Sequence, residues 1–174
     1  MSESLAESPA HVILIGLPGA GKSTHGRRVA RLCGRPFVDL DRRVVQVAGR
    51  SIPQIFREDG ESAFRALERE VTAALALEPP SIVAPGGGWM LDPGNVALVK
   101  PGATIIWLQV SPQRAVRRMG ARIRTRPLLR NVDPVAALEM LLAVRAPRYA
   151  VADVVIDTEV LDWKGVAAAI RAQI

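Results

Sequence analysis

The chain has 174 residues, a net charge of +6 and apolar side chains at 49% of its positions, which suits one compact domain with its own core. Its single cysteine excludes an internal disulfide framework and is typical of a reducing compartment. No stretch approaches the ~20 apolar residues of a membrane span, so we expect a cytoplasmic protein with no membrane partner.

The order of the predicted elements indicates an α/β fold. Residues 1–10 are polar and acidic, which predicts a disordered lead-in and not a signal peptide. Short apolar runs then alternate with segments of helical periodicity, which is the pattern of a parallel sheet covered on both faces. We expect a single domain over 11–174. The predicted strands are 11–15, 36–41, 81–85, 103–110 and 153–158, and the predicted helices are 22–32, 42–48, 52–58, 61–77, 111–119, 133–145 and 162–173.

The turn after the first strand has the sequence of a phosphate-binding loop. Residues 16–23, GLPGAGKS, fit G-x-x-x-x-G-K-[ST] between a strand and a helix. Glycines let backbone N–H groups converge on an anion, Lys22 reaches the terminal phosphates, and the Ser23 hydroxyl binds Mg²⁺. The loop alone does not separate kinases from GTPases or motor ATPases. The chain contains no Asn-Lys pair for a GTPase base-reading motif, which favours a small-molecule kinase.

Two aspartates close the second predicted strand. Asp39 and Asp41 are two residues apart, so on a strand both carboxylates face the same side. That side is the crevice at the carboxyl ends of the strands, where open parallel sheets bind ligands. One carboxylate suits the water shell of the metal, and the other suits a substrate hydroxyl. The alternative is that Asp41 caps the following helix.

Three consecutive glycines, Gly86, Gly87 and Gly88, follow the third predicted strand. Glycine is costly at the end of a strand unless something approaches the backbone closely. We therefore expect a ligand to lie against this run, in space that side chains would otherwise fill.

The motifs together resemble the shikimate kinase family. They occur in the family's order and span nearly the whole chain after residue 10: GLPGAGKST (16–24), DLD (39–41), SIPQIFREDGESAFRALEREV (51–71), GGG (86–88), RPLL (126–129) and RAPRYAVADVVIDT (145–158). The resemblance implies a three-layer P-loop kinase with a five-stranded parallel sheet and a mobile lid at about 119–130. It also implies ATP-dependent phosphorylation of the 3-hydroxyl of shikimate.

The resemblance further implies the nucleotide side of the site. Asp39 and Ser23 assist Mg²⁺, Arg118 at the edge of the lid packs on adenine, and Arg126 of RPLL contacts the transferring phosphate. The remaining residues expected to bind ATP belong to the loop and the start of its helix: Gly19, Ala20, Gly21, Lys22, Ser23 and Thr24. Lys22, Asp41 and Arg126 are the expected catalytic residues.

The acceptor side is implied in the same way. Asp41 binds the hydroxyls of shikimate, Arg65 and Arg145 clamp its carboxylate, and Gly86–Gly88 form the floor under its ring. A pair of arginines suits a carboxylate because each guanidinium can donate two parallel hydrogen bonds. Taken alone, Arg65 also suits a helix-surface ion pair with Glu61 or Glu68. Arg145 taken alone suits a charge at a helix C-terminus.

Two features of the sequence allow more than one interpretation. Residues 114–130 hold seven arginines and no acid, which is compatible with nucleic-acid binding, but they lack an aromatic stacking platform, so we expect no nucleic-acid partner. Pro85 and Trp89 flank the glycines where many family members have small residues. Trp89 suits either a wall of the pocket or a cover for the core.

Two rival functions stay open from the sequence. One is a related kinase for gluconate or another small polyol, and the other is a non-catalytic sensor with a kinase-like fold. The pair Arg65 and Arg145 argues against the first, and the intact set Lys22, Asp39, Asp41 and Arg126 argues against the second. We expect a monomer that uses ATP, shikimate and Mg²⁺.

Overall fold

The computed structural model describes residues 10–125, 129 and 131–174. Within them, five parallel strands form a sheet of order β2-β3-β1-β4-β5. The strand that precedes the phosphate-binding loop is therefore central, and the order of the strands reverses beside it. The strands are β1 (His11–Ile15), β2 (Phe37–Asp39), β3 (Ile82–Ala84), β4 (Ala103–Gln109) and β5 (Val154–Asp157).

Helices connect successive strands, as parallel pairing requires. The α-helices of the described residues are α1 (Lys22–Cys33), α2 (Leu40–Ala48), α3 (Ile52–Glu58), α4 (Gly60–Leu75), α5 (Pro93–Val99), α6 (Pro112–Met119), α7 (Pro134–Tyr149) and α8 (Trp163–Arg171). Short 3₁₀ helices cover Trp89–Leu91, Lys100–Gly102 and Gly120–Thr125. None of the helices described is long and apolar enough to cross a membrane.

The core lies on both sides of β1. All five residues of β1 are buried, and Ile13 pairs with Val83 of β3 and with Ile105 of β4. A strand that is covered on both faces has a continuous apolar sequence instead of an alternating one, which explains HVILI. The prediction of an α/β fold with five parallel strands is confirmed.

Some element boundaries differ from the sequence prediction. The second strand ends at Asp39 and α2 begins at Leu40, so Asp41 lies in the first turn of a helix. The helix predicted at 133–145 continues to Tyr149 and includes Pro147. Helix α5 was not predicted.

The predicted lid is described only in part. Residues 120–125 form a 3₁₀ helix, and Leu129 is buried. Arg126 lies outside the described residues, so its position and the motion of the lid stay predictions.

Candidate active site

The loop between β1 and α1 has the shape of an anion cradle. Gly16, Gly19 and Gly21 have φ values of 142°, 85° and 91°, a region that residues with a side chain rarely adopt. A Cβ atom on Gly19 would also lie 2.7 Å from the carbonyl oxygen of Ala115 in α6. The first turn of α1 follows at once, and its N–H groups have no partners within the helix. Together the loop and the helix start form a site for phosphate groups.

Lys22 lies across this loop. Its ammonium group donates to the carbonyl oxygens of Gly16 at 2.8 Å and Leu17 at 3.1 Å. Ser23 and Thr24, two of the residues expected to bind ATP, line the adjoining cleft. Ala20 does not line it: the residue is buried, and its N–H donates to the carbonyl of Leu17 at 3.1 Å.

The two aspartates reach the cleft from different elements. Asp39 ends β2 and caps α2, because its Oδ1 accepts a hydrogen bond from the N–H of Arg42 at 3.2 Å. Asp41 follows in the first turn of α2. Both residues line the cleft, but the expected geometry of two same-side positions on one strand is wrong. The proposed helix cap is Asp39 and not Asp41.

The three glycines make room for three side chains. A Cβ atom on Gly86 would lie 2.5 Å from Oδ1 of Asp41, one on Gly87 would lie 2.7 Å from Nη1 of Arg145, and one on Gly88 would lie 2.7 Å from Nη2 of Arg65. None of these glycines has a positive φ. Glycine is therefore needed here because a side chain would not fit, and not because the backbone conformation demands it. We expected a ligand to fill the space beside these glycines. The side chains of Asp41, Arg145 and Arg65, which are themselves predicted to bind the ligand, occupy it instead.

Arg65 of α4 is held by two glutamates. Its Nε and Nη2 donate to Glu61 at 3.2 and 3.0 Å, and its Nη1 donates to Glu68 at 2.9 Å. The ion-pair alternative from the sequence is therefore observed. Burial raises the pKa of Glu68, and the Arg65 guanidinium opposes this rise. These bonds fix the direction of Arg65 and use three of the five N–H groups of a guanidinium, so a bound carboxylate can share it.

Arg145 is a buried cation. The residue is 6% exposed, and among the described residues its Nη1 has no hydrogen-bond partner. Burying an unpaired charged donor is costly, which indicates a site that receives an anion. The alternative of a solvated charge at a helix C-terminus is wrong, because Arg145 lies inside α7 and packs against Gly87.

The cleft has a volume of about 560 Å³ and opens at the carboxyl ends of β1, β2 and β3, within the range of ligand sites. Gly88, Arg65 and Arg145 do not line it; Arg145 lies behind Gly87, which does. Residues of both charge signs line it: Lys22, Asp39, Asp41, Arg42, Arg118 and Arg122.

Two further residues line the cleft near the phosphate-binding loop, Arg118 and His25. Arg118 lines it and donates to the hydroxyl and the carbonyl of Thr158. His25 also lines it, and its ring packs against Gly21. Burial, then the charges of Arg118 and Arg28, lower the pKa of His25, so this imidazole favours the neutral form. No role follows from the sequence for His25, which lies outside the motifs, or for Thr158, which ends the motif 145–158 but meets Arg118 only in the folded chain.

The cleft combines a phosphate cradle after β1 with the carboxylates of Asp39 and Asp41 after β2, and guanidinium groups lie behind the glycines after β3. These features define a P-loop phosphotransferase for a small anionic acceptor. The family model of shikimate kinase matches residues 18–174. A shikimate kinase of Caulobacter vibrioides (strain NA1000 / CB15N) is 44% identical over 159 residues, which cover 91% of this chain and 79% of that protein. A shikimate kinase of Moorella thermoacetica is 39% identical over 163 residues, covering 94% and 93% of the two chains.

A solved structure gives the same result. Shikimate kinase from Acinetobacter baumannii in complex with shikimate superimposes with a TM-score of 0.85 at 33% identity, covering 95% of this chain and 92% of that one. The chain belongs to the shikimate kinase family, and the resemblance found in the sequence is confirmed.

Proposed function

We propose that the chain transfers the γ-phosphoryl group of ATP to the 3-hydroxyl of shikimate, producing shikimate 3-phosphate and ADP, with Mg²⁺ as the metal. The observation that carries the proposal is the run Gly86–Gly88, whose lack of side chains lets Asp41, Arg145 and Arg65 approach one short stretch of backbone near the phosphate-binding loop. Family membership supports it, as does the Acinetobacter baumannii relative that is named with shikimate bound.

The acceptor is held by its carboxylate. Arg145 supplies a buried guanidinium with an unpaired Nη1, and Arg65 supplies the N–H groups that Glu61 and Glu68 do not use. Two guanidinium groups give charge-assisted hydrogen bonds that fix both the position and the orientation of a rigid ring. Gluconate also carries a carboxylate, but it is an open chain without the ring that holds the hydroxyls of shikimate in a fixed position relative to its carboxylate.

Asp41 is the residue that acts on the hydroxyl. Its carboxylate packs against Gly86 in the same cleft as Lys22. From there it accepts a hydrogen bond from the 3-hydroxyl, aligns the oxygen with the γ-phosphorus and takes the proton as the bond forms.

The phosphates bind to the N–H groups of the loop and of the first turn of α1. Lys22 exchanges the carbonyls of Gly16 and Leu17 for phosphate oxygens, a short movement for a flexible side chain. Ser23 and Asp39 offer the oxygen donors that Mg²⁺ prefers, the hydroxyl directly and the carboxylate through water. The metal, when bound, neutralises charge on the phosphates. Arg126 is the arginine that contacts the phosphoryl group during its transfer.

The test is the release of ADP from wild type and Asp41→Asn with shikimate, with gluconate and with neither. We expect turnover with shikimate alone, and a kcat about 10² to 10⁴ times lower in the variant, because proton transfer and alignment are lost. ADP affinity and the urea midpoint of the variant should match wild type, since asparagine keeps the shape. Folded wild type without shikimate-dependent turnover would favour the sensor, and turnover with gluconate would favour the polyol kinase.

The setting of the enzyme is part of the proposal. We infer a cytoplasmic monomer of one domain, with residues 1–10 as a lead-in. Light scattering after size exclusion checks the assembly: a mass near 18.7 kDa supports the monomer, and twice that value contradicts it.

A further inference from the structure

Thr158 connects the last strand to an arginine of the cleft. The residue directly follows β5 and is 3% exposed. Its N–H and its hydroxyl both donate to the carbonyl of Gln109, at 3.1 and 2.8 Å. The same hydroxyl accepts a hydrogen bond from Nη1 of Arg118 at 2.7 Å, and the Thr158 carbonyl accepts one from Nη2 at 2.5 Å.

These bonds fix the plane of the Arg118 guanidinium. Two donors from one guanidinium reach two oxygens of one residue, and that residue is itself bonded to the end of β4. A long, flexible side chain would otherwise sample many orientations. Because the bonds lie in the guanidinium plane, they leave its flat faces free to stack on a planar group.

The neighbouring residue holds the other end of the same helix. Glu159 accepts hydrogen bonds from the N–H and the hydroxyl of Ser111 at 2.6 and 2.5 Å, and Ser111 caps the start of α6. Arg118 lies in the last turn of α6. Two consecutive residues after β5 thus fasten α6 at its first and last turns, next to the cleft.

We propose that Thr158 is a positioning residue for the nucleotide, which acts by presenting Arg118 to the base of ATP. The proposal rests on the proposed function, because it assigns the nucleotide to this side of the cleft. Thr158 does not touch the reacting atoms, so its loss weakens nucleotide binding and leaves the chemistry and the acceptor unaffected.

The experiment compares Thr158→Val with Thr158→Ser. Valine nearly keeps the shape but lacks the hydroxyl, whereas serine keeps the hydroxyl. We expect Thr158→Val to raise KM for ATP about fivefold to tenfold, the order of magnitude for the loss of one intramolecular hydrogen bond. Its kcat and its KM for shikimate should stay within about twofold of wild type. Thr158→Ser should restore KM for ATP, which a loss of general stability would not explain.

A second background tests whether the effect passes through Arg118. In Arg118→Met, the change Thr158→Val should add no further rise in KM, because the partner is already gone. Thr158→Ala replaces the valine variant if the latter does not fold. An unchanged KM for ATP in Thr158→Val, or the same rise in both backgrounds, overturns the proposal.

Direct titration with ADP separates this inference from the function itself. Weaker binding of ADP by Thr158→Val, restored by serine, supports the positioning role even if wild type does not turn over shikimate. Equal binding of ADP by wild type and the valine variant contradicts it, whatever the acceptor is.

Discussion

The guanidinium of Arg145 lies so close to Gly87 that no side chain would fit at position 87 without moving the arginine. The Cβ atom of an alanine at 87 would meet Nη1 at 2.7 Å, whereas glycine leaves the space open. The atom it meets is the end of a flexible side chain and not backbone, so the arginine can shift. The consequence therefore falls on the position of a binding group more than on the fold.

Gly87→Ala tests this. We expect KM for shikimate to rise about tenfold, because a displacement of less than 1 Å misplaces the carboxylate clamp, while the urea midpoint changes little. Gly102→Ala is the matched control, since its Cβ would meet nothing within 4 Å and its φ is not positive. Steady-state kinetics with both substrates varied give the result. An unchanged KM for shikimate in Gly87→Ala contradicts the clamp.

Trp89 fastens the segment after the glycines to α4. It is 0% exposed, and its Nε1 donates to the hydroxyl of Thr72 at 2.9 Å. That hydroxyl in turn donates to the carbonyl of Glu68 at 2.7 Å. Of the two roles that the sequence left open for Trp89, cover for the core is confirmed. The helix that carries Arg65 and the backbone that carries Gly88 are therefore held together by one buried indole.

Trp89→Phe should destabilise the protein by about 1–3 kcal/mol, because it leaves a cavity and removes the hydrogen bond that the Thr72 hydroxyl accepts. Trp163→Phe is the matched control, since Trp163 is 48% exposed. Urea unfolding followed by far-UV circular dichroism measures both variants. Equal midpoints for the two variants would show that the indole does not anchor the segment.

The sequence predicted which helices and strands occur more accurately than it predicted the residues at which they begin and end. The end of β2 was misplaced because Asp39 is both the last residue of the strand and the cap of α2. The helix follows the strand without an intervening loop, and hydrophobic periodicity does not mark such a boundary. Helix α5 was missed although Asp92 caps it and Pro93 occupies its first position. The helix has only seven residues and includes Gly94, so its periodicity is not visible in the sequence. The end of α7 was misplaced because Pro147 is a stop signal that packing of Arg145 and Tyr149 overrides.

For the site, the sequence predicted residues from motifs and from the family resemblance, but it did not reveal contacts between residues that are distant along the chain. The phosphate-binding loop is contiguous, so its chemistry follows from spacing. Thr158 meets Arg118 forty positions away, and His25 gains its environment from Arg118 and the fold of α1. Such pairs exist only after the chain has closed around the sheet.

The stability of the whole molecule should depend on pH through His11. Its Nδ1 accepts a hydrogen bond from the N–H of Ser81 at 3.2 Å and lies 3.0 Å from the Ser81 hydroxyl, joining the starts of β1 and β3. Burial lowers the pKa of His11 below its usual value of 6.5. In the folded state it is thus neutral at a pH where the unfolded chain takes up a proton. Stability from this group is present above pH 6.5 and is lost as the pH falls towards the folded pKa.

His11→Asn isolates this effect, because the side-chain oxygen of asparagine can accept from Ser81 and does not titrate. We expect the urea midpoint of wild type to fall more between pH 7.5 and 5.5 than that of the variant. His25 is the only other histidine of the chain, and it is present in both proteins, so its contribution cancels. Parallel pH profiles would contradict the assignment.

The strand order β2-β3-β1-β4-β5 has a consequence for how the family can diversify. β1 in the centre is followed by the phosphate-binding loop, β4 and β5 on one side are followed by Arg118 and Thr158, and β2 and β3 on the other side are followed by the proposed acceptor residues. Apart from Arg145, which reaches Gly87 from α7, those acceptor residues lie in one stretch of the gene, within 41–88. An exchange of one gene segment between relatives can therefore bring in a new acceptor without disturbing the ATP site, provided that a compatible partner for Gly87 travels with it.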